Sequence, residues 1–270
     1  MNESSFDFEW RSGGGKASLT EAAYDRIEEL FVMMRLRPGA DIRMQDLQEL
    51  VGLGRTPVHL AVRRLAAETL LEIRPRDGLT VARIDLTRER RLARLRRDIY
   101  RFVVEEAARN EGGSHRQRLT YLRRKLEEAR GRLTVETFNR FDRTFDLLLI
   151  EATGERFLER TFRPLHAFAR RIGYLNLTRL SGEAGLEETV RRHLDLLDAV
   201  VAGNAGKARK ASDALVDFSI SMIDALDGNV DPALLDSSLT DPVRWVPPEP
   251  ADAADTPRGA HPGSADPTRR

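Results

Sequence analysis

No cysteine occurs among the 270 residues. That absence excludes disulfides, thiolate zinc sites, iron–sulfur clusters and cysteine nucleophiles together. Histidine is scarce, with five copies, so a metal site would need Asp and Glu beside a few imidazoles. No run approaches the ~18 uninterrupted apolar residues of a membrane span, so no membrane partner is expected. Residues 1–10 are acidic and lack an apolar core, which speaks against a secretory signal and for the cytoplasm. Net charge is nearly absent too, with 44 Lys and Arg against 43 Asp and Glu. No internal repeat is found.

What is present is a chain 41% hydrophobic and 32% charged, the composition of a globular protein of one large or two ordinary domains. Four parts are expected. Residues 1–18 contain Ser12-Gly13-Gly14-Gly15 and read as a flexible leader. Residues 19–85 hold three helical patterns and a hairpin. Residues 86–228 show helical periodicity almost throughout. Residues 229–270 hold most of the twelve prolines, with Ala, Asp and Ser, and read as a disordered tail.

In the first domain, Ala23, Ile27, Leu30, Phe31 and Met34 fall at helical spacing, which predicts a helix over 21–35 capped by Thr20. Arg37-Pro38-Gly39 stops it. A second helix is predicted over 44–51, then a tight Gly52-Leu53-Gly54 turn and a third helix over 55–68. Val58, Ala61, Val62 and Leu65 make the inner face of the third, leaving Arg55, Thr56, His59, Arg63 and Arg64 on or near the outside. A short helix, a glycine turn and a helix with basic outer residues is the helix-turn-helix arrangement. Two alternating stretches around Pro75-Arg76-Asp77-Gly78 predict a wing, with Arg76 at its tip to reach a phosphate or the minor groove.

These motifs, Leu36-Arg37-Pro38-Gly39, Asp46-Leu47, Gly52-Leu53-Gly54-Arg55-Thr56-Pro57-Val58, Ala61-Val62-Arg63-Arg64-Leu65 and Leu70-Leu71 with the wing, resemble the GntR family of bacterial transcription regulators over about 65 residues. The resemblance implies that Arg55 enters the major groove, where it can grip guanine O6 and N7. The family's second arginine, four positions later, is His59 here. Its helix-2 arginine is Gln45, and the serine before the first arginine is Gly54. The DNA-binding set is therefore Gln45, Arg55, Thr56, His59, Arg63, Arg76 and Gly78. After the wing the chain turns basic: residues 86–133 carry 15 basic and 7 acidic side chains. Arg90 and Arg91 are expected near DNA or the interdomain seam, raising the salt dependence of binding.

The second domain is predicted as an antiparallel bundle of six helices near 87–110, 116–131, 135–152, 156–179, 184–202 and 205–227, broken at glycines. The fold class is thus mainly α: an N-terminal winged helix-turn-helix plus a C-terminal antiparallel helical bundle. Phe141-Asp142-Arg143-Thr144-Phe145-Asp146, followed by Glu151-Ala152-Thr153-Gly154 and, later, Arg192-His193-Leu194, is similar to the FCD ligand-binding domain. Many members of that branch hold a divalent metal through one Asp and three His, and the metal helps to hold a carboxylate effector. By position the Asp is Asp142. The three His positions carry Asp146, His193 and Leu215.

Read by themselves, Asp142 and Asp146 stand i, i+4 on one helix and repel. A metal would relieve them, as would an arginine such as Arg143 or Arg170. The residues favour arginines, with His193 a hydrogen-bonded interior residue and no stoichiometric zinc or nickel; a divalent metal cofactor is the second option. The effector pocket is placed at Asp142, Asp146, His193 and Arg170, for a small molecule such as a carboxylate or acyl compound. The expected whole is a non-enzymatic regulator that binds double-stranded operator DNA as a homodimer. The alternative is a helical metal-binding protein or enzyme using Asp142, Asp146 and His193.

Overall fold

Ser18 opens the first helix: its hydroxyl accepts from the Glu21 amide, and α1 runs Leu19–Val32. The cap thus falls two residues before Thr20, and α1 stops three residues short of 35. There Met34 takes a positive φ and the Leu36 amide turns back to the Leu30 carbonyl, burying Leu36 in the core. This computed structural model describes residues 18–74, 78–110 and 112–239. The wing turn at residues 75–77, with Arg76, lies outside them.

The helices α2 (Met44–Val51) and α3 (Arg55–Ala67) follow the expected bounds to within a residue. Gly52 closes α2 in the left-handed region at φ 65°. Pro57 sits in the first turn of α3, where its missing N–H costs no helical bond. Tyr24, Ile27 and Phe31 of α1 pack with Leu47, Val58, Val62 and Leu65 in one core. The strands β2 (Leu71–Arg74) and β3 (Gly78–Val81) form the wing, and a third strand, β1 (Asp41–Ile42), pairs antiparallel on the far side of β3. At two residues β1 is too short to leave a period in the sequence. Gly78 has a packing reason: at φ 105°, an added Cβ would lie 2.9 Å from the Ile42 carbonyl oxygen.

Beyond the wing come α4 (Leu86–Arg109), α5 (Gly113–Ala129), α6 (Val135–Thr153), α7 (Phe157–Asn176), α8 (Gly182–Val201) and α9 (Ala205–Leu226). A π-helical turn, Leu177–Ser181, joins α7 to α8. Their core holds Tyr100, Phe145, Phe162, Leu196 and Leu226. The N-terminal core is not closed by its own residues alone. Ala167 and Phe168 of α7 belong to it, and the Phe168 ring meets Phe31 edge-on at 5.7 Å.

Two expectations are corrected. Arg90, expected with Arg91 near DNA or the interdomain seam, faces α9 of the bundle instead. Arg90 donates to Asp224 and Asp227 at 2.7 and 3.0 Å, Arg97 pairs with Asp217, and Arg101 grips Asp213 at 2.6 Å. Arg88 bonds Thr69 and covers the Phe168 ring. The acidic edge of α9 thus absorbs much of the local excess. Residues 229–239, expected in the tail, are ordered as a strap. It comprises α10 (Pro232–Leu235) and a 3-10 turn, Ser237–Leu239. The Ser237 amide donates to the Pro38 carbonyl, and the Ile84 amide to the Leu235 carbonyl. Leu234 and Leu235 supply the apolar contact that repays ordering. Gly39, at φ 77°, leaves room for Asp236, whose Oδ1 would collide with a Cβ there.

Candidate nucleic-acid interface and effector cavity

The turn before α3 ends in Gly54, so no side chain caps the helix. Gly54, Arg55 and Thr56 are exposed there, and an uncapped, exposed helix start is a setting that favours phosphate. Arg55, Thr56 and Arg63 are exposed on α3, Gln45 is exposed on α2, and His59 and Gly78 are half-buried. Arg64 is turned away. It bonds Glu68 and Glu21, each at 3.0 Å, and stacks over the Tyr24 ring.

A cavity opens between α6, α7, α8 and α9, offering about 50 Å³ to the centres of water-sized molecules. Asp142, His193 and Arg170 line it, along with Arg96, Asn139, His166 and Tyr174. Asp146 does not; it lies behind the wall, against a small void shared with Glu28, Arg163 and Arg170. The third family position, Leu215, is an apolar part of the wall.

The two aspartates are answered by His166 and His193 and, at Asp146, by Arg96, rather than by Arg143 or Arg170. Nε2 of His193 lies 3.1 Å from Oδ1 of Asp142, while its Nδ1 is held 2.7 Å from the Thr189 carbonyl. His166 stands between the carboxylates, 3.4 Å from Asp142 and 2.9 Å from Asp146. Neither His166 approach is well aligned as a hydrogen bond for Asp146 Oδ2 or for His166 Nε2, and the buried Arg96 guanidinium stands 3.9 Å from that Asp146 oxygen. Tyr100 donates to the other Asp146 oxygen at 3.0 Å. Burial works against a charge on His166, but Asp146 and Asp142 outweigh it and raise its pKa. Burial likewise opposes the Asp142 charge, and His166 and His193 hold that carboxyl well below the usual range.

The ligating atoms of Asp142, Asp146 and His166 lie within 4.8 Å of one another. With His193 oriented by Thr189, this donor set fits a divalent cation of the kind that accepts nitrogen and oxygen. His166 comes from α7, outside the spacing the family pattern supplied, and sequence reasoning missed it.

Sequence reasoning also missed Glu28. It is fully buried on α1, between Tyr24, Ile27 and Phe31 on the apolar face. Arg163 donates to it at 2.8 Å, Arg143 at 3.2 Å, and Arg170 lies 3.2 Å away. Burial would raise its pKa, yet Arg163, Arg170 and Arg143 together hold it far below the usual carboxylate range. Arg163 and Arg143 also reach Asp25, and Arg163 reaches Glu21. Arg170 therefore faces two ways. It lines the cavity, bonds Asn139 at 3.1 Å and reaches Glu28 in the N-terminal core.

A model of the gntR family of bacterial regulatory proteins matches residues 19–81, and one of the FCD domain matches residues 91–218. The HTH-type transcriptional repressor RspR of Escherichia coli K12 is 25% identical over 174 residues, spanning 61% of this chain and 71% of its own. Among solved structures, E. coli McbR/YncC shares the fold at a TM-score of 0.69 and 22% identity, over 78% of this chain and 100% of that one. A putative GntR regulator from Rhodococcus sp. RHA1 gives 0.57 and 18%, over 77% and 98%. With a DNA-binding helix-turn-helix at its N-terminus and an all-helical FCD domain after it, the chain belongs to the GntR family of bacterial transcription regulators.

Proposed function

We propose that this regulator binds operator DNA as a homodimer through α3 and the wing, and that a compact effector in the FCD cavity controls that binding. In this reading residues 19–85 contact DNA and residues 86–228 hold the effector and the dimer contact. Arg55, Thr56, His59 and Arg63 face the major groove, with Gln45 beside them. The observation that carries effector control is the double engagement of Arg170, on the cavity and on Glu28 of α1. An anionic group in the cavity competes with Glu28 for one guanidinium. Breaking a buried pair of this kind costs about 3–5 kcal/mol, enough to change how α1 sits on α7. Coupling is reciprocal, so DNA and effector each alter the other's affinity.

The cavity limits the ligand. At ~10–15 Å³ per water, its 50 Å³ takes a few heavy atoms, which favours a small carboxylate over a long acyl chain. The test is a panel of small carboxylates scored by shift in unfolding midpoint and by change in operator affinity. A compound that does both in the parent and neither in Arg170→Gln supports the reading. A compound that acts equally on both proteins overturns the role of Arg170.

A second reading, favoured by the placement of His166, adds a divalent metal held by Asp142, Asp146, His166 and His193. Such an ion would supply a positive centre for an anionic ligand. In its absence a proton on His166 serves the two carboxylates, so binding would release protons and weaken at low pH. Elemental analysis of protein purified without chelators checks this reading: one ion per chain, lost in His166→Ala, supports it, and unchanged metal content in that variant overturns it.

A further inference from the structure

On α3 the buried residues Val58, Ala61, Val62 and Leu65 define the inner face. At 3.6 residues per turn, the direction opposite to them runs through Thr56, Leu60, Arg63 and Ala67, with Leu60 within ~30° of it. Leu60 is 47% exposed. It stands one turn after Thr56, with the exposed cation Arg63 about 60° from it around the helix and the exposed Arg55 at the helix start, about 140° away. A branched apolar side chain at the centre of an outward helix face gains nothing from water, and the two cations of the same exposed half of α3 suit it to a polyanion. Double-stranded DNA offers one apolar feature in the major groove, the thymine 5-methyl group.

We propose that Leu60 reads sequence, packing its side chain on the 5-methyl of a thymine in each half-site. Arg55 and Leu60 are five residues apart, a rise of ~7.5 Å along the helix. The two side chains also diverge by ~140° around the axis, so the thymine belongs to a base pair other than the one Arg55 contacts. Thr56, one turn before Leu60 on the same face, lends a second methyl to the contact. Arg63 then serves the backbone on the far side. The position is thus a specificity determinant: Leu60 adds little to general affinity for DNA, which comes from phosphate contacts, and much to the choice of thymine over other bases.

This inference rests on α3 being the helix that enters the groove, and the experiment separates the two. Duplexes are selected from a random pool with the full-length protein, and each thymine of the winning duplex is replaced in turn by deoxyuridine, which lacks only the methyl. Binding is measured for the parent, Leu60→Ala and Arg55→Ala at one salt concentration. Loss of one buried methyl weakens binding about three- to fivefold. The expected result is one thymine per half-site at which the replacement weakens the parent by that factor and leaves Leu60→Ala unchanged. Because Leu60 is exposed, the variant should fold as the parent does; an unchanged thermal midpoint verifies it, and Leu60→Gln gives a second variant that keeps the length and loses the apolar end. If deoxyuridine affects parent and Leu60→Ala alike at every position, or affects neither, the inference is overturned while an Arg55→Ala defect still upholds α3. If Arg55→Ala also binds as the parent, or no duplex is enriched, both fall.

Discussion

Two glutamates buried in this molecule are driven in opposite directions. Glu28 is held ionised by three guanidinium groups. Glu89, buried on α4, is pushed up to about 7 by burial, which Arg171 and Arg88 only partly offset. In the unfolded chain Glu89 titrates near 4.5. Between those values the folded state binds the extra proton, so this group makes stability fall as pH rises from 4.5 to about 7, and flat beyond. The full span corresponds to about 3 kcal/mol. In Glu89→Gln that slope should vanish, leaving the variant more stable than the parent at pH 8 and little changed at pH 4.5; urea unfolding at the two pH values measures it. At the DNA face, Arg55→Ala should cost about 1–3 kcal/mol against a guanine-containing operator and relax specificity there, read by titration of matched and substituted duplexes. The sequence exposed Arg55 plainly, since a family motif and the helix period agree on it. Glu28 was legible only as a carboxylate at an apolar position of α1. Its partners come from α6 and α7, and a helical period cannot say which distant helix answers it. His166 hid for the same reason: on α7 it alternates with Phe162, Ala167 and Arg170, all buried, so no polar stripe sets it apart.

At the scale of elements, the bundle could be read because glycines and caps punctuate it. Asn204 caps α9 and Thr134 caps α6, both at breaks visible in the sequence. The pairing of α4 with α9 could not be read. Arg90, Arg97 and Arg101 line up with Asp224, Asp217 and Asp213 only when the two helices run antiparallel side by side, and local pattern carries no information on that register. Exposed pairs of this type contribute little stability, yet they decide where the arginines point. Arg90, committed to Asp224 and Asp227, is removed from the count of phosphate contacts. Arg90→Ala should therefore leave the slope of log K against log salt unchanged, whereas Arg55→Ala reduces it by about one contact if a phosphate is involved. Affinity measured across a salt series decides between these outcomes.

For the whole molecule, the strap after α9 ties the N-terminal unit to the bundle from behind. A chain ending at Val230 loses the amide bonds to Pro38 and from Ile84 and the cover of Leu234 and Leu235. Its unfolding midpoint should drop by about 2–4 °C for each kcal/mol removed, which a thermal melt of the two chains detects. The proposed homodimer needs a face for its second copy, and α4 offers one that can be tested. Leu95 and Phe102, seven residues apart on α4, are both more than half exposed, and Phe102→Asp should shift the mass found by light scattering from dimer toward monomer.

The way α7 completes the N-terminal core bears on how regulators of this architecture diversify. A DNA-reading unit is often treated as a cassette that recombination can move between sensors. Here Phe31 and Glu28 need Phe168, Arg163 and Arg170 from a helix encoded some 140 codons downstream. A gene fusion that joins this reading unit to a foreign sensor at residue 85 would bring an unsatisfied buried carboxylate and an open apolar core. Viable exchange has to carry the facing surface of α7 along with it, so inheritance of operator choice and of sensor surface is linked through one seam.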